Sequence, residues 1–274
     1  MDLNLKKFDI TRITDDSVVI FIGRRRTGKS FLLRDVMYYH QDLPIGTVIS
    51  GSESANTFFA NIVPSLFIHD EYSPDIISNV YKRQELVKRK VQKDIGKKGK
   101  SNIDPRAFLI LDDLMFDDTW IRDKNVKRLF FNGRHFNLMF LITMQYPLGI
   151  PPNLRTNVDY VFILRENYIK NRKIIYENYA GMFPSFEMFC ECMDACTENY
   201  ECLVIHVSAE SNKLQDQVFW YKATAHEDFK IGAKEFWDAH NANYTEEDGA
   251  TEDTFDPQAL RKKRGPKVNI QKKF

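Results

Sequence analysis

Short, continuous apolar runs recur along the chain and alternate with segments of helical periodicity. The runs at residues 17–22 and 138–143 are rich in β-branched and aromatic side chains, which is typical of strands buried on both faces of a parallel sheet. The alternation predicts an α/β fold with a mainly parallel central sheet flanked by helices, ending in a strand pair, interpreted as a hairpin, at the sheet edge. Further strands are expected at residues 46–50, 66–69, 107–111, 160–164, 203–207 and 218–221.

Helices are expected where the sequence carries start signals or an apolar stripe. One follows the first strand directly at residues 29–39, and another covers residues 123–132. Ser73 and Pro74 supply an N-cap and a first-turn proline for a further helix, after which glycines and lysines at residues 96–104 predict a mobile loop. The apolar side of that helix is formed by Ile76, Ile77, Val80, Val87 and Val91.

Composition limits the number of domains, and the N-terminal sequence predicts the cellular location. A chain of 274 residues with 43% hydrophobic composition suits one sizeable core rather than several large domains. From His240 the chain becomes polar, so we expect one folded domain over residues 1–240 and a flexible, acidic then basic tail over residues 241–274. No apolar run approaches the roughly 20 residues of a membrane-spanning helix. Residues 1–9 lack a secretory signal, which predicts a cytosolic protein with reduced cysteines.

The strongest local signal is Gly23-Arg24-Arg25-Arg26-Thr27-Gly28-Lys29-Ser30, a match to G-x-x-x-x-G-K-[ST] between the first strand and its helix. In such a P-loop, or Walker A motif, the glycines let backbone N–H groups and the helix N-terminus hold a phosphate chain. We expect Lys29 to reach the β- and γ-phosphates of ATP and the Ser30 hydroxyl to ligate Mg²⁺. The three arginines are unusual in this loop, and contact with a phosphate, a neighbouring subunit or solvent alone stays open.

A second motif follows in residues 108–113, an apolar strand that ends in two adjacent carboxylates, the form of a Walker B segment. Asp112 is expected to hold Mg²⁺ through water and Asp113 to polarise the attacking water, although alone the pair could be two solvated acids. Gln145 follows the strand at residues 138–143, where a neutral amide can both donate to a phosphate oxygen and accept from the attacking water.

The order of these motifs resembles the genome-packaging ATPases of large nucleocytoplasmic DNA viruses, including poxvirus-type enzymes, within the FtsK/HerA-like superfamily of ring-forming P-loop DNA translocases. The resemblance covers roughly residues 16–165, and its most specific part is the run at 132–137 followed by a strand and Gln145. It implies that Gln145 senses the nucleotide state and that Arg134 is the arginine finger offered to the next subunit's ATP. The Asp113 position is often glutamate in the wider superfamily, which leaves the identity of the catalytic base open.

Arg155 is a second candidate for the arginine finger, because it lies just before the strand at residues 160–164. An arginine finger neutralises charge on the transferring phosphoryl group and needs a subunit interface to place it. The structural alternative for Arg134 or Arg155 is a surface salt bridge.

Basic residues form two patches in a chain whose net charge is only +1. The residues of the tail patch, Arg261, Lys262, Lys263, Arg264, Lys267, Lys272 and Lys273, have no acid among them. Such a tail can hold DNA, an acidic capsid surface or anionic lipid. The other patch consists of Lys82, Arg83, Lys88, Arg89, Lys90, Lys93, Lys97, Lys98 and Lys100. Such a run is a phosphate-binding surface or only a solvated helix face.

Four cysteines, Cys190, Cys192, Cys196 and Cys202, lie close together in the sequence. No C-x₂-C pair is present, so the spacing favours buried reduced thiols over a zinc site.

The functional hypothesis is an ATPase that drives viral double-stranded DNA into a capsid as a homo-oligomeric ring, with ATP and Mg²⁺ as cofactors. Capsid or inner-membrane proteins are further candidate partners, and the host cytoplasm (the virus factory) and the virion are the expected locations. The alternatives are a cellular or mobile-element translocase of the same superfamily, a P-loop small-molecule kinase, and a non-catalytic ATP-binding protein that tethers the capsid. The paired aspartates and Gln145 disfavour the kinase, and the filled catalytic positions disfavour the tether.

Overall fold

The computed structural model describes residues 4–114 and 119–243. Within these residues, nine strands form one sheet. The strands are β1 (Lys6–Lys7), β2 (Val18–Ile22), β3 (Gly46–Ser50), β4 (Ile68–His69), β5 (Ala107–Asp112), β6 (Leu138–Met144), β7 (Tyr160–Ile163), β8 (Glu201–His206) and β9 (Val218–Lys222). Their order across the sheet is β1-β9-β8-β7-β2-β6-β5-β3-β4.

Helices connect the strands and cover both faces of the sheet. They are α1 (Lys29–Tyr38), α2 (Glu53–Asn56), α3 (Pro74–Lys98), α4 (Thr119–Arg122), α5 (Lys124–Asn132), α6 (Pro152–Arg155), α7 (Ile169–Tyr179), α8 (Phe186–Cys196), α9 (Leu214–Gln217) and α10 (Lys234–Asn243). Short 3-10 turns lie at Ile10–Arg12, Phe59–Asn61, Ser65–Phe67 and Gly133–Phe136. Among the described residues, no helix is long and apolar enough to span a membrane.

The centre of the sheet is parallel, as the continuous apolar runs predict. Neighbouring strands from β7 through β2, β6, β5 and β3 to β4 all run in the same direction. The last two predicted strands form an antiparallel pair, β8 and β9, and β8 also runs antiparallel to β7. The short β1 pairs with the outer side of β9. The mainly parallel α/β fold is confirmed, and all the carboxyl ends of the parallel strands meet at one edge.

Each central strand contributes side chains to two hydrophobic cores, because its side chains alternate between the faces of the sheet. In β2, Val18, Ile20 and Ile22 belong to the core that packs against α3, α5, α7 and α8. Val19 and Phe21 of the same strand belong to the core under α1 and α10. This double burial explains why the run carries no polar alternation.

The prediction of a loop at residues 96–104 is wrong at its start, because α3 continues through Gly96 to Lys98. The helix ends at Lys98, and its C-cap is Gly99, which has a φ of 74° and donates its N–H to the carbonyl of Ile95 at 2.8 Å. Two lysines in the last turn also favour the negative end of the helix dipole. The expected strand at residues 66–69 is likewise shorter, because a 3-10 turn occupies Ser65–Phe67.

The predicted boundary at residue 240 falls inside α10, which ends at Asn243. Phe236 on this helix is buried against the core under α1. The acidic stretch at residues 246–256 and the basic tail patch lie outside the described residues.

Two glycines give a matched test of the packing. A Cβ at Gly46 would lie 2.2 Å from the ring of Phe108, which is fully buried, whereas a Cβ at Gly96 meets nothing within 4 Å. We expect Gly46→Ala to lower the free energy of unfolding by about 1–3 kcal/mol through overpacking. Gly96→Ala should raise it by up to about 1 kcal/mol through helix propensity. Urea unfolding measures both, and an unchanged Gly46→Ala protein would contradict the packing described here.

Candidate nucleotide site

The P-loop leaves the carboxyl end of β2 and enters α1, as its sequence predicts. Gly23 donates its N–H to the carbonyl of Met144 at 3.0 Å, and a Cβ there would lie 2.7 Å from the Thr27 hydroxyl. Gly28 is the N-cap of α1 with a φ of 98°, a conformation that favours glycine. The two glycines of the motif therefore serve the tight path of the loop.

Lys29 folds back over this loop. Its ammonium group donates to the carbonyl of Gly23 at 2.6 Å and to that of Arg24 at 3.0 Å. Burial lowers the pKa of Lys29, while the nearby carboxylates of Asp113 and Asp112 act to raise it. The first turn of α1 also presents Ser30 at the surface. The structure therefore brings the predicted phosphate-binding lysine and the predicted carboxylates into one electrostatic neighbourhood.

Asp112 ends β5 and is held from both sides by hydroxyl groups. Thr143 of β6 donates to one carboxylate oxygen at 2.6 Å, and Ser50 of β3 donates to the other at 2.8 Å. The Asp112 residue is only 5% exposed, and burial raises the pKa of its carboxyl group although both hydrogen bonds act in the opposite direction. The two hydroxyls fix the orientation of a carboxylate that is costly to bury.

Asp113 turns sharply out of the strand with a φ of 52°. Its N–H donates to the Thr143 hydroxyl at 3.1 Å, and its carboxylate accepts a hydrogen bond from the side-chain amide of Gln145. The structure thus joins the carboxylate that is predicted to polarise water and the amide that the family resemblance implies as nucleotide sensor.

Sequence reasoning missed Ser50 and Thr143. Both are hydroxyl residues at or near the end of an otherwise apolar strand. In the parallel register, Ser50 and Thr143 are the direct neighbours of Asp112 on its two sides. The signal was therefore present as a polar side chain at the end of each strand that flanks β5.

The three loop arginines have different environments. Arg24 is half-buried, and its guanidinium lies 4.6 Å from the ring centre of Tyr168. Arg25 is exposed, and its charge helps to lower the pKa of Lys29. Arg26 is exposed with a φ of 63°. Of the three, Arg24 is thus held by an aromatic ring of its own chain.

Arg134 lies away from the P-loop of its own chain. Arg134 forms an ion pair with Asp159, which is buried and also accepts the Val18 N–H at 2.9 Å. These residues mark the amino ends of β2, β6 and β7, opposite the P-loop. The Arg134 side chain remains 54% exposed.

Arg155 is held within its own chain by other groups. It donates to both the backbone and the side-chain oxygen of Asn178, and its guanidinium lies 5.3 Å from the ring centre of Tyr179. It is half-buried in this position.

The basic run on α3 divides between the fold and the solvent. Burial lowers the pKa of Arg83 to about 10, and Lys88 donates to the carbonyl of His135 at 2.8 Å. The other seven cations are exposed, namely Lys82, Arg89, Lys90, Lys93, Lys97, Lys98 and Lys100.

The cysteine cluster is largely buried. Cys192, Cys196 and Cys202 are buried and Cys190 is half-buried, all as free thiols. Burial raises the pKa of Cys196 to about 11 and that of Cys202 well above its ordinary value. These buried thiols are therefore protonated and unreactive at neutral pH.

Comparison with known proteins identifies viral relatives of this chain. No model of a known protein family matches the chain. "Uncharacterized protein L437" of Acanthamoeba polyphaga mimivirus is 40% identical over 248 residues, which cover 89% of this chain and 86% of that protein. "Uncharacterized protein 075L" of Invertebrate iridescent virus 6 is 38% identical over 84% of this chain and 87% of its own length. The chain belongs to this family of viral proteins.

Solved structures resemble this viral protein in fold. The genome packaging NTPase B204 of Sulfolobus turreted icosahedral virus 2, in complex with AMPPCP, superposes with a TM-score of 0.52 at 14% identity. The match covers 77% of this chain and all of B204. The conjugation coupling protein TcpA of pCW3, with ATPγS, gives 0.51 at 16% identity over 78% of this chain and 62% of TcpA. The fold is that of P-loop NTPases such as these.

The hydroxyl of Thr143 offers a direct test of the carboxylate network. We expect Thr143→Val to lower the free energy of unfolding by about 1–3 kcal/mol, because it leaves the buried Asp112 carboxylate short of a donor. Thr143→Ser keeps the hydroxyl, so its free energy of unfolding should fall by less. Chemical unfolding at neutral pH measures both variants. A Thr143→Val protein as stable as the wild type, with a loss of stability only in Thr143→Ser, would mean that the methyl group, and not the hydrogen bond, stabilises this position.

Proposed function

We propose that the protein is an ATP-driven translocase that packages viral double-stranded DNA into a capsid. The observation that carries the proposal is the contact between Gln145 and Asp113 beside the P-loop lysine. It joins a nucleotide-sensing amide to the carboxylate that would polarise water. The viral relatives support a viral role, and B204, which shares the fold, is described as a DNA-packaging ATPase.

The donor set fits ATP with Mg²⁺. Lys29, the loop amides and the helix N-terminus offer positive charge to phosphates. Ser30 and Asp112 would hold Mg²⁺, a cation that is usually bound by one or two carboxylates together with phosphate oxygens and water. The bound cation would supply charge neutralisation at the phosphates.

Asp113 and Gln145 would then act as a coupled pair. Asp113 would accept a proton from, or orient, the attacking water. The Gln145 amide that now donates to Asp113 can instead donate to a phosphate oxygen, so the presence of a terminal phosphate would change the hydrogen bonding of the base. This exchange is a physical route by which the residue reports the nucleotide state.

An arginine from a neighbouring subunit would complete the site. Arg134 lies at the edge of the sheet opposite its own P-loop and is half exposed. Arg155 is half-buried against Asn178 and Tyr179. We therefore prefer Arg134 as the finger in a homo-oligomeric ring, with Arg155 as the second candidate.

Double-stranded DNA would contact the exposed cations of α3. Seven exposed lysines and arginines on and just after one helix form a surface that suits phosphates without selecting a sequence. The host cytoplasm is the location where such a packaging motor would assemble with its capsid. A small-molecule kinase and a non-catalytic ATP-binding tether remain the alternatives, and neither requires stimulation by DNA.

The decisive experiment is ATP hydrolysis by the full chain with and without duplex DNA. We expect duplex DNA to accelerate hydrolysis, and the stimulation to fall steeply between about 50 and 200 mM salt. Lys29→Ala should reduce turnover by about 100-fold or more, because it removes charge from the phosphate site. Asp113→Asn should lose turnover but keep ATP binding, since Asp112 remains.

The matched control is Lys173→Ala, which removes an exposed lysine of α7 and should hydrolyse ATP normally. ATP hydrolysis that duplex DNA does not stimulate would favour the kinase or another ATPase. Near-normal turnover in Lys29→Ala would remove the P-loop assignment, and lost ATP binding in Asp113→Asn would reverse the roles of the two aspartates.

The shared site is tested by mixing variants. Arg134→Ala should abolish turnover without weakening ATP binding to the same subunit, and mixing it with Lys29→Ala protein should restore part of the activity. Arg134→Lys preserves a cation beside the buried Asp159, so it separates the finger from the ion pair and should also be inactive. Mixed rings that stay inactive, or a fully active Arg134→Lys protein, would transfer the assignment to Arg155.

A further inference from the structure

A small cleft lies beside the P-loop, and the site described above gives it no role. It has a volume of about 160 Å³ and is lined by Arg26 and Thr27 of the P-loop, by Arg165 after β7, and by the turn at residues 197–200. At about 30 Å³ per water molecule, it has room for roughly five waters. That space is large enough for one ring system.

The strand order fixes which end of a nucleotide would face this cleft. The carboxylates and Gln145 follow β5 and β6, on one side of the P-loop strand β2. The carboxylates would attract the cation bound to the terminal phosphate, and the Gln145 amide would donate to that phosphate. The cleft lies at β7 and β8, on the other side of β2. A nucleotide whose phosphates point to the carboxylates therefore extends its base toward the cleft.

The turn that forms the far wall has a strained backbone at its tip. Asn199 and Tyr200 have φ values of 51° and 64°, a region that is costly for residues other than glycine. Hydrogen bonds hold the turn in place, from the buried Thr197 hydroxyl to the carbonyl of Met193 at 2.6 Å and from the Glu201 N–H to the carbonyl of Glu198 at 2.9 Å. Strain of this kind persists only where surrounding structure enforces it.

Tyr200 is the aromatic group that this turn presents to the P-loop. It is 70% exposed, although large apolar rings usually gain from burial. A Cβ built on Gly28 would lie 3.3 Å from a ring carbon of Tyr200, so the ring is next to the N-cap of α1. An exposed aromatic ring beside a phosphate loop, carried on a turn whose backbone is held by hydrogen bonds, has the chemistry of a stacking platform.

We propose that Tyr200 stacks on the base of the bound nucleotide and that the cleft between Arg26 and Asn199 receives that base. The inference rests on the proposed nucleotide site and adds the group that binds the part of the ligand away from the phosphates. Every base has a π-face, so stacking supplies affinity without strict base selection. The phenol hydroxyl is not needed for this contact.

Binding to the full chain with Mg²⁺ tests the proposal, with ATP and inorganic tripolyphosphate as the two probes. We expect Tyr200→Ala to bind ATP about 5- to 150-fold more weakly, the range found for stacking of one base on an aromatic ring. Tripolyphosphate has no base, so its affinity should not change. Tyr200→Phe should bind ATP as the wild type does. Tyr39→Ala is the matched control, because Tyr39 is an exposed tyrosine at the other end of α1.

Three results would overturn the inference, and they are distinguishable. Unchanged ATP affinity in Tyr200→Ala, with ATP binding intact in the wild type, removes the stacking contact alone. An equal loss for ATP and tripolyphosphate would show that Tyr200 only supports the shape of the P-loop. Wild-type protein that binds neither probe would remove the nucleotide site itself, and with it both proposals.

Discussion

Parallel pairing of β5 with β6 sets Asp112 directly beside Thr143, and the rest of the site depends on that register. One threonine hydroxyl donates to Asp112 at 2.6 Å and accepts the N–H of Asp113 at 3.1 Å. A slip of one residue would turn the hydroxyl to the opposite face of the sheet, because side chains alternate along a strand. The apolar packing on both faces prevents that slip, so the hydrophobic cores of the fold are what hold the two carboxylates in place.

Burial then gives the site its electrostatic character. It raises the pKa of Asp112 and lowers that of Lys29, so each charged form is disfavoured by lost solvation and favoured by the opposite charge nearby. Such an arrangement favours ligands that bring both signs of charge, with a cation for the carboxylate and an anion for the ammonium group. A magnesium-bound triphosphate has this property, whereas a neutral ligand would leave both desolvation costs in place.

The sequence was sufficient for the features that depend on neighbouring residues. The P-loop, the paired aspartates and the strands around them follow from local patterns, because a buried parallel strand has a continuous apolar run and glycines mark the loop. The contacts of Thr143 and the ion pair of Arg134 with Asp159 join residues that are distant in the chain, so local patterns did not reveal them. The turn at Tyr200 was missed for another reason, because an irregular backbone has no periodicity.

The two ends of the parallel strands, called here the carboxyl edge and the amino edge of the sheet, also constrain how subunits could share a site. The P-loop is at the carboxyl edge of the parallel strands, while Arg134 is at the amino edge beside Asp159 and the first residue of β2. If Arg134 serves a neighbour's nucleotide, the amino edge of one subunit must face the carboxyl edge of the next. Two different surfaces then meet at every contact, which excludes a two-fold dimer that uses one patch on both subunits. Head-to-tail contacts of this kind close into a ring when the rotation between subunits divides a full turn, and otherwise they form an open filament.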